Sequence, residues 1–199
     1  MLKIFANSRS AKLYQAIRTG DLDKLSKLLP KFDREQLSQR LQEQQSPLEV
    51  AIRSQQARAL ELLLQKKPPT DQPCSSGESL PLLALQQQDA SLALLSTLLQ
   101  GGIEADSAAL AAACFAHCDE SQLMLHLSRL IQHDPALIEN PQLMHQGLAS
   151  GSQPLVHFLI NSGALLPDDL DEAAYDTQLL HYARKCAEDR KIRQMFLGG

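Results

Sequence analysis

The chain has 199 residues, of which 44% are hydrophobic, 21% charged and 4% aromatic. That length suits one compact domain or one short repeat array, and the apolar fraction excludes disorder over the whole chain. The formal charge of −4 is segregated: residues 1–67 carry 13 Lys+Arg against 7 Asp+Glu, residues 68–183 carry Arg129 alone against 14 acids, and residues 184–199 carry 5 cations against 2 acids. The acidic middle argues against wrapping a nucleic acid along the chain, while the basic ends can steer partners over about 10 Å at ordinary salt. No apolar stretch reaches the roughly 20 residues of a membrane span. The apolar run within MLKIFANSRS is too short for a secretory signal. A cytoplasmic protein without a membrane partner is expected.

Helical segments come in pairs, punctuated by Gly, Pro, Asp and Ser. The first pair is KLYQAIRTG followed by DLDKLSKLL, with Leu22, Leu25, Leu28 and Leu29 in one apolar stripe. Gly20 supplies the turn between the two and Asp21 caps the second. The connector Lys31–Gln45 is expected to be partly helical, because Phe32, Leu37 and Leu41 recur at wide helical spacing. The second pair is SPLEVAIRSQ and ARALELLLQKK. Ser46 and Glu49 spell a capping box around Pro47, and Pro68-Pro69 stop the chain after Lys66 and Lys67. Residues 68–79, PPTDQPCSSGES, have the composition of an exposed, flexible loop. The third pair, SLPLLALQQQ and ASLALLSTLLQ, ends at Gly101-Gly102. The fourth, DSAALAAACFAH and ESQLMLHLSRLIQH, closes at Asp134-Pro135, and the fifth, NPQLMHQGLAS and QPLVHFLINS, closes at Gly163. Residues 168–196 read as one or two terminal capping helices. Period-two β-branched runs are absent, so no sheet is expected.

The pairs recur. Their first-helix small residues are Ala16, Ala51, Ala84, Ala112 and Gly147, at separations of 35, 33, 28 and 35. Apolar doublets follow in step in the second helices: Leu28-Leu29, Leu63-Leu64, Leu98-Leu99, Leu130-Ile131 and Leu159-Ile160. Such a period is the mark of a stacked helical array, in which each pair buries its apolar face only against its neighbours.

SPLEVAIRSQQARALELLL resembles the T-P-L-H-x-A unit of the ankyrin-repeat family with its following Leu pair, GLASGSQPLVHFLINSGA resembles the later part of such a unit, and AIRTGDLDKLSKLL resembles a first one. The resemblance implies an all-α solenoid of stacked helix pairs forming a single domain over 1–199, with units near 11–30, 46–67, 79–102, 106–133 and 140–164. The departures are a missing His at the T-P-L-H position and few or no β-hairpin fingers. A HEAT-like or TPR-like array is the alternative architecture; the TPR pattern expects Trp, which this chain lacks.

The family resemblance further implies a non-catalytic protein–protein interaction module that grips an unidentified protein through a concave face. Residues just after the small position would line that face: Arg18 and Thr19, Arg53 and Ser54, Gln86 and Gln87, Cys114 and Phe115, Ala149 and Ser150. Arg18 and Arg53 stand out, since Arg is enriched at binding hot spots. On its Ala-rich helix Phe115 reads first as a core residue. A second reading has the basic N-terminal end binding nucleic acid or another polyanion. A monomer is expected. No GxSxG, Walker A, GxGxxG or HExxH motif occurs, and no enzyme activity or cofactor is expected. Cys74, Cys114, Cys118 and Cys186 contain no CxxC pair and read as reduced thiols. Cys114 and Cys118 with His117, His126 and His133 lack the paired, turn-borne spacing of a closed zinc site, so no metal is expected. His126 and His133, seven apart, would share a helix face. Asp168, Asp169, Asp171 and Glu172 are explained as acids at a helix start.

Overall fold

The computed structural model describes residues 2–70, 73–168 and 170–197. The chain is all-helical, with no strand among the described residues, and it groups into two compact units, Met1–Ala105 and Asp106–Gly199. No described helix is long and apolar enough to cross a membrane.

The first unit contains α1 (Leu2–Thr19), α2 (Leu22–Leu28), α3 (Pro47–Arg53), α4 (Ala57–Leu64), α5 (Leu80–Leu85) and α6 (Ser91–Gln100). Consecutive helices form hairpins. The first helices α1, α3 and α5 pack side by side, and so do the second helices α2, α4 and α6. Between the two layers lies a core in which Leu13, Ala16, Ile17, Leu25, Ala51, Ile52, Leu60, Leu63, Leu83, Ala84 and Leu98 have no exposed surface. Helix starts are fixed by side-chain caps. The Lys24 N–H donates to Asp21 Oδ1 at 2.9 Å, the Glu49 N–H to Ser46 Oγ at 3.1 Å and the Leu82 N–H to Ser79 Oγ at 3.4 Å. A cap of this kind contributes about 1 kcal/mol.

Helix ends repeat more closely than the sequence does. Four residues after Ala16, Ala51 and Ala84 stand Gly20, Gln55 and Gln88, all left-handed, with φ of 65°, 57° and 47°. At the first two, the next N–H reaches back to the small residue: Asp21 to the Ala16 carbonyl at 3.0 Å, Gln56 to the Ala51 carbonyl at 2.8 Å. This is a Schellman closure, which satisfies the last carbonyls of a helix and favours Gly at the left-handed position. Among the second helices, Gly102 (φ 76°) stands four residues after Leu98 and the Ile103 N–H reaches the Leu98 carbonyl at 3.1 Å, whereas Lys67 (φ 49°) stands four after Leu63 and is followed by Pro68, which has no N–H to donate.

The second unit contains α7 (Ser107–His117), α8 (Glu120–His133), α9 (Pro141–Ala149), α10 (Gln153–Ser162) and α11 (Thr177–Leu197). Helix α7 packs beside α9, α8 beside α10, and α10 beside α11. Gly163 (φ 127°) follows Leu159 by four residues, with the Ala164 N–H on the Leu159 carbonyl at 3.0 Å; Gly151 (φ 72°) follows Gly147 by four, and there Ser150 Oγ donates to the Gly147 carbonyl at 2.6 Å. Gly147 is buried, and a Cβ there would lie 2.5 Å from Leu159 Cδ1, so glycine lets α9 lie close on α10.

Several sequence expectations are modified. Ala112 is exposed, and the small buried residue of α7 is Ala111. The buried positions Ser107, Leu110, Ala111 and Cys114 follow i, i+3, i+4, i+7, and three consecutive alanines hide that register in the sequence. In the five doublets, Leu28 and Ile131 are only half-buried, while their neighbours Leu29 and Leu130 are buried. The connector 31–45 holds short 3-10 turns at Gln36–Ser38 and Gln42–Gln44 and no α-helix; Leu37 anchors it in the core. The described residues of 68–79 carry no helix, yet they are not uniformly exposed, since Pro68 and Cys74 are buried. The terminal segment forms a 3-10 turn, Glu172–Ala174, and then α11. Of its acidic cluster, Asp169 lies outside the described residues.

Candidate functional site

Glu49 is the third residue of α3, and its inward position leaves it with no exposed surface. An unpaired carboxylate there would cost several kcal/mol, roughly. It is compensated from three segments. The Ser75 N–H lies 3.1 and 2.9 Å from its two oxygens, the Ser75 hydroxyl donates to Oε1, and Arg53 Nε donates from one turn along α3 at 3.0 Å. Arg40 NH1 stands 4.0 Å away. Burial by itself pushes the Glu49 carboxyl up, but the Ser75 and Arg53 donors outweigh it and hold its pKa below the ordinary value. The capping box is therefore only half made. Ser46 caps the helix as its sequence implies, whereas the Glu49 side chain is engaged by Ser75 and Arg53.

Arg53 extends the cluster outward. Its NH2 donates to Ser76 Oγ at 2.7 Å and lies 3.7 Å from Glu78 Oε1, and Gln86 Nε2 donates to Glu78 Oε2 at 2.9 Å. Arg40 NH2 holds the Pro73 carbonyl at 3.0 Å and NH1 the Gln44 carbonyl at 2.6 Å. The loop itself is a tight turn, with the Gly77 N–H on the Cys74 carbonyl and the Cys74 N–H on the Glu78 carbonyl, both at 2.9 Å. Leu41 and Gln45 make the same closure at 2.7 Å, and each turn directly precedes a capping serine, Ser46 or Ser79. Beneath the loop, burial and the negative charges of Glu49 and Glu78 push the Cys74 thiol up to about 11, so it stays protonated at neutral pH.

The proposed contact residues fall into two groups. Thr19 Oγ1 donates to the Gln15 carbonyl at 2.8 Å, Gln87 Nε2 to the Leu83 carbonyl at 2.9 Å and Ser150 Oγ to the Gly147 carbonyl at 2.6 Å, so these three finish their own helices. Ser54 is half-buried at the end of α3, Cys114 is buried, Phe115 is half-buried on α7 and Ala149 is exposed at the end of α9. Arg18 is exposed, its guanidinium 6.0 Å from the Tyr14 ring centroid. Arg53 and Gln86, on neighbouring first helices, are brought together through Glu78.

No family model, curated protein or solved structure matches this chain. Its site is read from geometry, and the geometry adds residues that the sequence reading passed over: Glu49 as a buried charge, Ser75, Ser76 and Glu78 as its loop partners. A Glu four residues before an Arg, inside the apolar run Leu48–Ile52, was the available signal.

The histidines and cysteines are dispersed. His126 is fully buried, with Nδ1 2.7 Å from the Gln122 carbonyl oxygen and 3.9 Å from Cys118 Sγ, while His133 is exposed; they share no outward face. His145 Nδ1 meets the Tyr175 hydroxyl at 2.8 Å, and His157 Nδ1 meets the Tyr182 hydroxyl at 2.8 Å. All four cysteines are free, and burial raises the pKa of both Cys114 and Cys118. No group of three or more His, Cys, Asp and Glu residues converges on a metal position among the described residues. In the second unit, a groove of about 310 Å³ runs between α7 and α9, floored by Ala108, Ala111 and Ala112 and edged by Gln142 and Gln146.

Proposed function

We propose that this chain is a non-catalytic, ankyrin-like helical-repeat module that binds another protein through the C-terminal ends of its first helices. The observation that carries the reading is the recurrence of one left-handed helix end. A left-handed residue stands four places after the buried small residue in α1, α3, α5 and α9, whether that residue is Gly or Gln. Its persistence at Gln55 and Gln88, where a side chain opposes it, supports helix ends fixed by stacking in these four pairs. In place of projecting β-hairpins stand the two tight turns 41–45 and 74–78, which precede Ser46 and Ser79 as fingers would.

On this reading Arg18, Gln86 and the Arg53–Glu78 pair form the contact edge of the first unit. The test is affinity capture with the full chain, identification of the captured protein, and calorimetry on the purified pair. Arg18→Glu is expected to weaken the complex about tenfold or more, as for an interface arginine. Arg58→Glu, an exposed change on the second-helix layer, serves as the control. An unaffected Arg18→Glu complex alongside a weakened Arg58→Glu complex refutes the assigned face.

A polyanion-binding reading has one specific support. Lys24, Lys27 and Lys31 are exposed along one row of α2 and the turn after it, with no ion pair among the described residues. Steep salt-dependent retention on heparin, lost in Lys24→Glu/Lys27→Glu, distinguishes it.

A further inference from the structure

The inner face of α11, built from Leu179, Leu180, Ala183 and Cys186, is buried, and α11 packs on α10. Its last two turns present a second apolar face. Ile192, Met195 and Phe196 sit at i, i+3 and i+4, on the side of the helix away from the buried stripe, and are 51%, 70% and 84% exposed. Leu165, 76% exposed, lines a separate groove with Ala187, Arg190 and Gln194, which continue the buried stripe of α11. Three of the six large hydrophobic side chains exposed among the described residues are gathered on these last two turns. Single exposed apolar residues need no explanation, but a cluster of them marks an interaction surface.

The charge around the cluster narrows the occupant. Residues 190–197, RKIRQMFL, contain three cations, and Glu188 and Asp189 are exposed one turn before Ile192; residues 184–197 together hold five cations against these two acids, whereas residues 106–183 of the same unit hold Arg129 against 10 acids. Lys191 and Arg193 are exposed and adjoin Ile192 on either side; Arg193 is steadied by Asn161 Oδ1 at 3.1 Å from its NH2. Lys185 is exposed two turns before Ile192. The cluster is a ridge on a helix end, where a shaped protein groove would have to be supplied entirely by the partner. A fluid anionic surface needs no such shape: large apolar side chains enter the acyl boundary while flanking cations remain with the phosphates.

We propose that the last two turns of α11 dock this protein onto an anionic lipid surface, with Ile192, Met195 and Phe196 as the inserting side chains and Lys191 and Arg193 on the headgroups. The docking is peripheral, reversible and weakened by salt, because it relies on a few apolar side chains and a few cations. It does not depend on the repeat reading above.

The experiment is co-sedimentation of the full chain with vesicles of phosphatidylcholine alone and with phosphatidylglycerol added, followed by circular dichroism of each variant to verify folding. The chain is expected to pellet with the anionic vesicles and to stay in solution with the neutral ones. Met195→Ser/Phe196→Ser is expected to lower the partition constant about tenfold or more, from the loss of two exposed anchors. Lys191→Glu/Arg193→Glu abolishes pelleting by a route independent of apolar insertion. No pelleting with either vesicle overturns the proposal, and so does pelleting that both variants leave unchanged. A concentration-dependent dimer that Met195→Ser/Phe196→Ser dissolves, without vesicle binding, overturns it in favour of a second copy of the chain. Loss of a captured acidic protein without vesicle binding overturns it in favour of a protein partner.

Discussion

Replacing Glu49 by Gln keeps the size of the side chain and removes its charge. In the folded protein the carboxylate accepts from the Ser75 N–H, the Ser75 hydroxyl and Arg53 Nε, and no water-exposed surface offers an alternative. Hydrogen bonds to a charged group are worth about 1.5–3 kcal/mol each, against about 0.5–1.5 kcal/mol for neutral ones. Making the two Ser75 bonds neutral, and taking the ion pair from Arg53, which keeps Ser76 Oγ at 2.7 Å and the 3.7 Å contact to Glu78, predicts a loss of about 3 kcal/mol at neutral pH. For a unit of this size that corresponds to a melting point lower by roughly 10–20 °C. The loss must also depend on pH. The folded-state pKa of Glu49 lies below its ordinary 4.5. Its contribution is therefore fully present above that ordinary value and disappears as the pH falls through the folded one. Urea unfolding of both proteins, followed by circular dichroism across the acid range, reads out both effects. Equal midpoints at neutral pH, or a gap that stays constant as the pH falls below about 4.5, would refute the assignment of Glu49 as a buried, charge-compensated clasp.

Two further substitutions probe the stack. Leu63→Ala removes a side chain with no exposed surface from the layer between α4 and its neighbours and is expected to cost about 2–5 kcal/mol in denaturant titrations. The whole first unit should unfold in a single lowered transition, and an unchanged curve would count against shared packing. Gln55→Gly relieves a left-handed φ of 57° at the end of α3 and is expected to raise stability by about 1 kcal/mol. Gly20→Ala, at the matching place in α1, should do the reverse, since its φ of 65° is a left-handed conformation that a Cβ disfavours. Thermal melts of the two variants moving in the same direction would sink the equivalence of these positions.

The helix pairs were legible because their punctuation is local chemistry. Asp21 and Ser46 cap the helices they precede, and Gly20, Gly102 and Gly163 take left-handed positions that other residues resist. What was hidden depends on partners distant in the chain. Ser-x-x-Glu spells a capping box whether Glu49 turns back to its own helix or forward to Ser75, and only the packing of residues 73–78 on α3 decides between them. Loop 68–79 reads as polar and exposed for the same reason, since its buried Cys74 and anchored Ser75 have meaning only once Glu49 is in place. Ala111 and Ala112 are indistinguishable by composition and differ by one helical step of about 100°. Arg53 and Gln86 were picked out by position along the repeat. The sequence carried no sign that Glu78 lies between them, because that contact joins residues on separate helices through a turn.

The grip of Arg40 on the carbonyls of Gln44 and Pro73, beside Glu49, bears on how such a chain can change length. Layers held together only by leucines can be duplicated or deleted with little more than a shift of register. Here a deletion that removed residues 73–78 would leave Glu49 buried beside Arg53 without its Ser75 donors. The junction between the second and third helix pairs is thus a fixed seam, where a change of length costs stability.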